Sequence, residues 1–185
     1  MDSHQQVDAI YTDFSKAFDR VPHNVLVQKL RLYGFSGSIL QWLESYLSER
    51  YFYIVINGYK SNPYTITSGV PQGSHLGPLL FIIFVNDISL CFKHSKPYLY
   101  ADDLKFARTI RGDKDQEMLQ SDLDRLIDWC NANSMNLNIS KCVHIKFTRK
   151  LRVTPTSYFI SNTKLQEFKK VKDLGITLDS KMTFS

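Results

Sequence analysis

The chain has few cysteines and no long apolar segment, and these two absences exclude several classes of protein. Its 185 residues include three cysteines, an odd number, with no Cys-x-x-Cys spacing, so neither a disulfide framework nor a zinc site is predicted. No stretch approaches the roughly 18 uninterrupted apolar residues of a membrane-spanning helix, and the amino terminus lacks the pattern of a secretion signal. The sequence therefore favours a protein of a reducing intracellular compartment, nucleus or cytoplasm, with no membrane partner.

The composition is that of a globular protein with an uneven charge distribution. Hydrophobic residues make up 43% of the chain and charged residues 22%, which is enough for one domain with a real core. The formal net charge is +5, and nine basic residues against one acidic residue fall between Lys141 and Lys172. Such a stretch is usually a solvated face, but beside an acidic metal site it is also what a nucleic-acid backbone requires.

Strand and helix patterns alternate along the chain and predict an α+β fold, a sheet covered on one face by helices. One domain is expected over residues 7–185, and the polar residues 1–6 are expected to be disordered. The predicted strands span residues 7–14, 51–56, 64–67, 97–101, 104–109, 142–147, 157–161 and 174–178, and the predicted helices span residues 22–33, 38–47, 79–90 and 114–133.

Asp102 and Asp103 place two adjacent carboxylates at the end of a short apolar strand. Two like charges about 4 Å apart repel by roughly 4 kcal/mol at an effective dielectric near 20, which favours protonation of one or neutralisation of both by a metal. Asp13 ends another apolar strand 89 residues earlier. If those strands are neighbours, three carboxylates with open positions would meet, and such a set suits Mg²⁺. The alternative is a solvated Asp-Asp turn.

Residues 68–78 form a loop rich in glycine and proline, SGVPQGSHLGP. Its three glycines and two prolines predict tight backbone angles and main-chain N–H groups brought close to a partner.

Three segments resemble, in order, motifs A, B and C of the reverse transcriptase palm of non-LTR retrotransposons of the jockey and LINE type. They are DFSKAFD at residues 13–19, SGVPQGSHLGPLL at residues 68–80 with the following phenylalanine, and YADD at residues 100–103. Downstream, WCNANSMNLNISK at residues 129–141 resembles motif D, and VKDLGITLD at residues 171–179 resembles motif E, the primer grip. The resemblance covers nearly the whole chain and implies a polymerase palm, an antiparallel sheet with a catalytic hairpin.

The resemblance also implies a metal site and a reaction. Asp13 and Asp102 would be the principal metal ligands and Asp103 a third. The main-chain carbonyl of Phe14 would be an additional metal ligand, and Phe14 would also border the bound nucleotide. Two Mg²⁺ ions, or Mn²⁺ as a substitute, would support transfer of a nucleotide from a dNTP to a primer 3′ hydroxyl. Lys141 falls where motif D offers a lysine near the pyrophosphate, to donate a proton or to neutralise charge. A plain surface lysine is the alternative.

A nucleotide pocket is implied by residues of motifs A and B. Phe18 would act as a steric gate that excludes the 2′ hydroxyl of a ribonucleotide, and packing in the core is the alternative. Gln72 would contact the nucleotide, with a turn-bracing amide as the alternative. The main chain of Gly69 and Gly73 would approach the nucleotide or template. Asp19 is expected to brace the following turn.

The resemblance also implies that residues around motif E contact nucleic acid. These residues are Lys169, Lys170, Lys172, Leu174 and Gly175. The expected partners are an RNA template, a DNA primer and dNTPs, together with fingers before Met1 and a thumb after Ser185 in a parent polyprotein. Two alternatives stay open. One is a catalytically incompetent retroelement relic that binds nucleic acid weakly through residues 141–172. The other is a different palm polymerase, such as an intron-encoded maturase or a telomerase-like enzyme.

Overall fold

The computed structural model describes residues 5–182, which form two compact units. The first unit comprises residues 5–15, 87–132 and 136–182, and the second comprises residues 16–86 and 133–135. Of the six residues predicted to be disordered, residues 1–4 lie outside the described range. Gln6 instead begins the first strand with its side chain fully buried, because its amide donates to Asp8 and to the carbonyl of Thr154.

Four α-helices and thirteen short to medium strands are formed between residues 5 and 182. In chain order they are β1 (Gln6–Thr12), α1 (His23–Leu32), α2 (Gly37–Leu47), β2 (Tyr51–Phe52), β3 (Val55–Ile56), β4 (Tyr59–Lys60), β5 (Tyr64–Thr65), α3 (Leu76–Val85), β6 (Lys96–Tyr100), β7 (Asp103–Ile110), α4 (Asp113–Ala132), β8 (Val143–Thr148), β9 (Phe159–Ile160), β10 (Thr163–Lys164), β11 (Gln166–Phe168), β12 (Lys170–Asp173) and β13 (Ile176–Asp179). None of these helices is long and apolar enough to cross a membrane.

The first unit is built on a five-stranded sheet with the order β11-β8-β1-β7-β6. The predicted α+β class is confirmed, but the sheet is mixed rather than wholly antiparallel, because β11 pairs in parallel with β8. A parallel pair needs a crossover of a dozen or more residues, and residues 149–165 supply it between these two strands.

The two faces of this sheet are covered by different elements. Helix α4 packs against β7 and buries Leu119, Leu123 and Leu126, which recur at helical spacing. On β1 and β8, three buried residues form an apolar cluster, here called the hairpin-facing cluster: Ala9, Ile145 and Phe147. Val171 of β12 and Leu178 of β13 pack against it. Because adjacent residues of a strand point to opposite faces, helix and hairpin can bury the two sides of one sheet.

The second unit combines helices with a small exposed hairpin. Helices α1 and α3 pack together, and Lys29 of α1 donates a 2.8 Å hydrogen bond to the carbonyl of Phe84. The Asn57-Gly58 turn joins β3 to β4 as the sequence predicts, with φ values of 49° and 84° that a type I′ turn requires. The pair β2–β5 continues this hairpin.

Candidate active site

The hairpin formed by β6 and β7 presents the adjacent acids. Tyr100 pairs with Asp103, which leaves Ala101 and Asp102 as a two-residue turn, and Ala101 takes the left-handed φ of 52°. Strand β7 also pairs with β1, where Leu104 lies opposite Thr12. Asp13 follows Thr12 directly, so Asp13 and the pair Asp102-Asp103 lie at the same end of two neighbouring strands, along one edge of the sheet.

A cavity of about 480 Å³ opens at this edge of the first unit. Asp13, Asp103 and Lys141 contribute to one part of its wall, and Lys172 and Leu174 contribute to another. The predicted catalytic acids and part of the predicted primer grip therefore face a common space. Asp102 is half-buried on the turn beside it.

The carboxylates at this edge have few hydrogen-bond donors. No residue between 5 and 182 donates a hydrogen bond to the side chain of Asp102 or Asp103. Partial burial raises the pKa of Asp103, and the negative charges of Asp102 and Asp13 raise it further. Lys141 places its Nζ 3.5 Å from Oδ2 of Asp13, but its side chain is 64% exposed and solvent weakens this ion pair.

These residues fit a divalent cation in donor chemistry. The acids offer only oxygen ligands, and their mutual repulsion leaves negative charge that Mg²⁺ would neutralise. No group of three acidic, histidine or cysteine side chains within the described range is already spaced to hold a metal ion. The site is therefore a set of suitable donors rather than a preassembled metal cage.

The backbone beside Asp13 leaves the Phe14 carbonyl outside the strand pairing. Phe14 forms an isolated antiparallel bridge with Leu137. The flanking hydrogen bonds run from Ser15 N–H to the carbonyl of Asn136, at 2.8 Å, and from Asn138 N–H to the carbonyl of Asp13, at 2.7 Å. The phenyl ring of Phe14 is buried. This arrangement anchors the segment through its neighbours and keeps the Phe14 carbonyl free of a ladder bond.

Phe18 and Gln72, whose side chains are predicted to contact the nucleotide, lie in the second unit. Each makes a contact that fits its alternative role, which is core packing for Phe18 and a bracing amide for Gln72. The half-buried ring of Phe18 stacks on Phe81, with 4.3 Å between ring centroids. Gln72 is exposed and its amide donates a 2.8 Å hydrogen bond to Asp19. This bond joins Asp19 to the glycine-rich loop rather than to the turn that follows Asp19.

The two loop glycines differ in what their backbones approach. A Cβ on Gly69 would lie 2.9 Å from the carbonyl oxygen of Asp19, and φ there is +89°, so packing against Asp19 already requires glycine. Gly73, with φ of +79°, has open space where a Cβ would stand. Of these two glycines, Gly73 has the backbone that faces open space, and its approach to a nucleotide or template stays a prediction.

The predicted nucleic-acid contacts of motif E fall on the β12–β13 hairpin and the residue before it. Lys169, Lys170 and Lys172 are exposed. Leu174 and Gly175 form the turn, with φ values of 47° and 87°. Leu174 therefore holds a left-handed conformation that is unusual for a branched side chain, at a tip that is 55% exposed.

The residues of the cavity wall that sequence reasoning missed include three that contact one another: Tyr11, Lys105 and Asp173. Lys105 donates a hydrogen bond to Asp173, and the Tyr11 hydroxyl donates to the same carboxylate oxygen at 3.4 Å. Burial, followed by the charge of Asp173, raises the pKa of Tyr11 well above its usual range. At the level of sequence Asp173 belonged only to the motif E segment, because the predicted strand started at residue 174, whereas in the structure Asp173 ends β12.

Comparison with known proteins places this site in a family. The model of the family described as reverse transcriptase (RNA-dependent DNA polymerase) matches residues 2–178. The chain belongs to the reverse transcriptase family. The family is one of nucleotidyltransferases, and the predicted kinship with non-LTR retrotransposons is confirmed by its relatives.

Two Drosophila melanogaster proteins illustrate this relationship. The RNA-directed DNA polymerase from mobile element jockey is 31% identical over 195 residues, and the probable RNA-directed DNA polymerase from transposon X-element is 32% identical over 190 residues. Each alignment covers 100% of this chain but 21% of the relative. This reverse transcriptase chain thus spans about a fifth of the length of these relatives.

Solved structures show the same fold at low sequence identity. Apo telomerase from Candida tropicalis, truncated from its C-terminal domain, aligns with a TM-score of 0.68 and 14% identity, over 95% of this chain and 34% of that one. Telomerase from Candida albicans in complex with a fragment of telomeric RNA gives a TM-score of 0.65 over 94% and 30%. The likeness supports the reverse transcriptase fold of this chain.

Proposed function

We propose that this chain is the palm of an RNA-directed DNA polymerase, which transfers a nucleotide from a dNTP to the 3′ hydroxyl of a DNA primer on an RNA template. Membership of the reverse transcriptase family supports the reaction class. The observation that carries the proposal is the edge of β1 and β7, where Asp13, Asp102 and Asp103 lie with almost no hydrogen-bond donors from residues 5–182.

Asp13, Asp102, Asp103 and the carbonyl of Phe14 are the groups that would hold Mg²⁺. When bound there, two such ions would lower the pKa of the primer 3′ hydroxyl and stabilise negative charge on the leaving pyrophosphate. Lys141 keeps its ammonium beside Asp13 and can hold a proton near the pyrophosphate.

The remaining predicted residues would bind and orient substrates. Phe18 presents a ring whose position is fixed by stacking on Phe81, which suits a gate against a 2′ hydroxyl. Gln72 can exchange its bond with Asp19 for one with an incoming nucleotide, because both groups are exposed. Backbone phosphates of primer and template would meet the exposed lysines of the motif E segment. Fingers and thumb segments of a longer polyprotein would complete the grip on the duplex.

A primer-extension assay tests the proposed reaction. With an RNA template, a labelled DNA primer, dNTPs and Mg²⁺, Asp102→Asn should reduce nucleotide incorporation by at least about 10³-fold, because one carboxylate fewer remains to hold the metal. Asp128→Asn on the exposed surface of α4 is the matched control and should extend normally. Extension that survives in Asp102→Asn would remove this residue from the mechanism.

The steric gate has a separate test. Phe18→Val should increase the incorporation of a ribonucleotide relative to its deoxyribonucleotide by about tenfold or more, because the smaller side chain leaves room for the 2′ hydroxyl. Phe52→Val, at an exposed ring of the small hairpin, serves as the control. An unchanged ratio in a folded Phe18→Val protein would leave Phe18 with core packing alone.

A further inference from the structure

The β12–β13 hairpin is attached to the sheet of the first unit at its base and along its length. At the base, the N–H of Thr148 donates to the carbonyl of Ser180 at 2.9 Å. Along the strands, Val171 and Leu178 pack against the hairpin-facing cluster. These contacts hold the body of the hairpin, but neither reaches the turn at Leu174 and Gly175.

A polar attachment lies next to the turn. Asp173, the last residue of β12, accepts hydrogen bonds from Lys105 of β7 and from the hydroxyl of Tyr11 of β1. Tyr11 and Lys105 lie directly opposite each other in the β1–β7 register. The side chains of Asp173 and Lys105 are only 14% and 27% exposed, so solvent screens this ion pair less than a surface pair.

The partners of Asp173 belong to the strands that present the catalytic acids. Lys105 is two residues after Asp103, and Tyr11 is two residues before Asp13. Since side chains two residues apart on a strand share a face, Lys105 lies on the same side of the sheet as Asp103 of β7, and Asp13 follows directly after the end of β1. Asp173 therefore connects the hairpin turn to both acid-bearing strands, and all five residues line the same cavity.

We propose that Asp173 is a positioning residue that fixes the β12–β13 turn relative to the catalytic carboxylates. This inference rests on the proposed polymerase function. It assigns to Asp173 the placement of nucleic acid, with no contact to the reacting atoms. The bonds from Lys105 and Tyr11 set the distance between the turn, at Leu174 and Gly175, and the edge that carries Asp103.

The conformation of the turn explains why an attachment is needed there. Leu174 has a φ of 47°, a left-handed conformation that costs energy for any residue with a Cβ and that persists where the surroundings enforce it. Its side chain is 55% exposed, so burial does not enforce it, and the turn depends on the pairing of Asp173 with Ile176 and on the attachment of Asp173 to the sheet. With the charge of Asp173 removed, the turn would open locally while the packed body of the hairpin stays in place.

Hydrogen exchange and duplex binding test this proposal without requiring catalysis. In Asp173→Asn, amide exchange over residues 172–176 should accelerate by about tenfold while β1, β7 and β8 exchange as before. Binding of a fluorescent primer–template duplex should weaken by about five- to tenfold, because the turn no longer holds a single conformation. Asp173→Glu, which restores the carboxylate on a longer side chain, should recover part of both effects.

Asp115→Asn is the matched control. Asp115 also pairs with a basic residue of β7, Arg108, at 2.7 Å, and the two side chains are 19% and 22% exposed. This pair lies toward the other end of the strand and does not tether the hairpin, so both readouts should stay near the wild-type values.

Equal exchange of the turn, or equal duplex affinity, in Asp173→Asn and Asp115→Asn would overturn the proposal. A lack of rescue by Asp173→Glu would show that the carboxylate is not what positions the turn. Failure of the polymerase assignment would appear in a different assay, as primer extension that does not depend on Asp102. Hydrogen exchange and duplex binding would still distinguish Asp173→Asn from Asp115→Asn, because neither measurement requires catalysis.

Discussion

Two groups of aspartates in the first unit differ in the hydrogen-bond donors around their carboxylates. Asp122 of α4 is fully buried and accepts hydrogen bonds from the N–H groups of Lys93, His94 and Ser95, from the Ser95 hydroxyl and from Arg125. Asp102, on the turn before β7, accepts none from residues 5–182. The described residues satisfy one carboxylate with several hydrogen bonds and donate none to the other.

The same contrast separates Asp8 from Asp103. Asp8 is fully buried in β1, and its oxygens accept from the amide of Gln6 and the hydroxyls of Thr156 and Tyr158. Asp103 is exposed at the start of β7, and no described residue donates a hydrogen bond to it.

This difference separates acids that stabilise the fold from acids available for chemistry. Burying a carboxylate costs several kcal/mol unless the protein supplies hydrogen-bond donors to it. Each buried polar group without a partner costs about 1–3 kcal/mol, and a charged group costs more. An acid at a cleft without such donors contributes little to stability. The proposed cation would neutralise the repulsion between this acid and its two acidic neighbours.

The largest predicted effect on stability is at Asp122. Asp122→Asn replaces an acceptor oxygen with an NH₂ group that faces N–H donors, and it should lower the free energy of unfolding by about 3 kcal/mol. Urea unfolding followed by circular dichroism measures this value. Asp124→Asn, an exposed change on the same helix, is the control. A loss at Asp122 no larger than at Asp124 would contradict the division into two groups.

The stabilisation by Asp122 should depend on pH. Burial would raise the pKa of Asp122, but the hydrogen bonds from Ser95, Lys93, His94 and Arg125 outweigh burial and lower it. The unfolded chain therefore binds this proton more readily, so the stabilisation is complete above the unfolded pKa of about 3.9 and is lost as pH falls through the lower folded pKa. The stability difference between wild type and Asp122→Asn should shrink in that acidic range, as urea midpoints at several pH values would reveal.

Asp103 should show the smallest effect and the opposite sign. Burial and the charges of Asp102 and Asp13 raise the pKa of Asp103, so its ionised form is disfavoured in the folded state. Asp103→Asn should leave the free energy of unfolding at pH 7 unchanged or raise it by up to about 0.5 kcal/mol, since solvent screens an exposed site. As pH falls through the folded pKa, Asp103 becomes protonated in the wild type and the difference disappears. A clear loss of stability in Asp103→Asn at neutral pH would assign this acid to the fold.

The motifs of the site could be predicted from the sequence because their signals are local. Asp13 and the Asp102-Asp103 pair each end an apolar strand, and the Asn57-Gly58 turn is determined by the φ values its residues tolerate. The helix α4, predicted over residues 114–133 and observed over Asp113–Ala132, follows from a sustained 3.6-residue periodicity.

Other features depended on contacts between distant segments. The ion pair of Lys105 with Asp173 joins residues 68 positions apart, so its existence depends on how the hairpin docks rather than on any local pattern. Strand β11 has three residues, too few for an alternation of apolar and polar side chains to indicate a strand. Its parallel pairing with β8 is set by the preceding crossover. The close approach of Gly69 to the backbone of Asp19 likewise joins residues 50 positions apart and has no local signal in the sequence.

Binding of Mn²⁺, measured by electron paramagnetic resonance as the loss of the free-ion signal, tests most directly whether the donor-poor acids form a metal site. The wild-type chain and Asp128→Asn should bind with equal affinity, and Asp102→Asn should bind at least about tenfold more weakly, because a hard cation depends on the number of carboxylate oxygens available. Equal binding by the wild type and Asp102→Asn would contradict the account, since the acids without donors would then hold no cation.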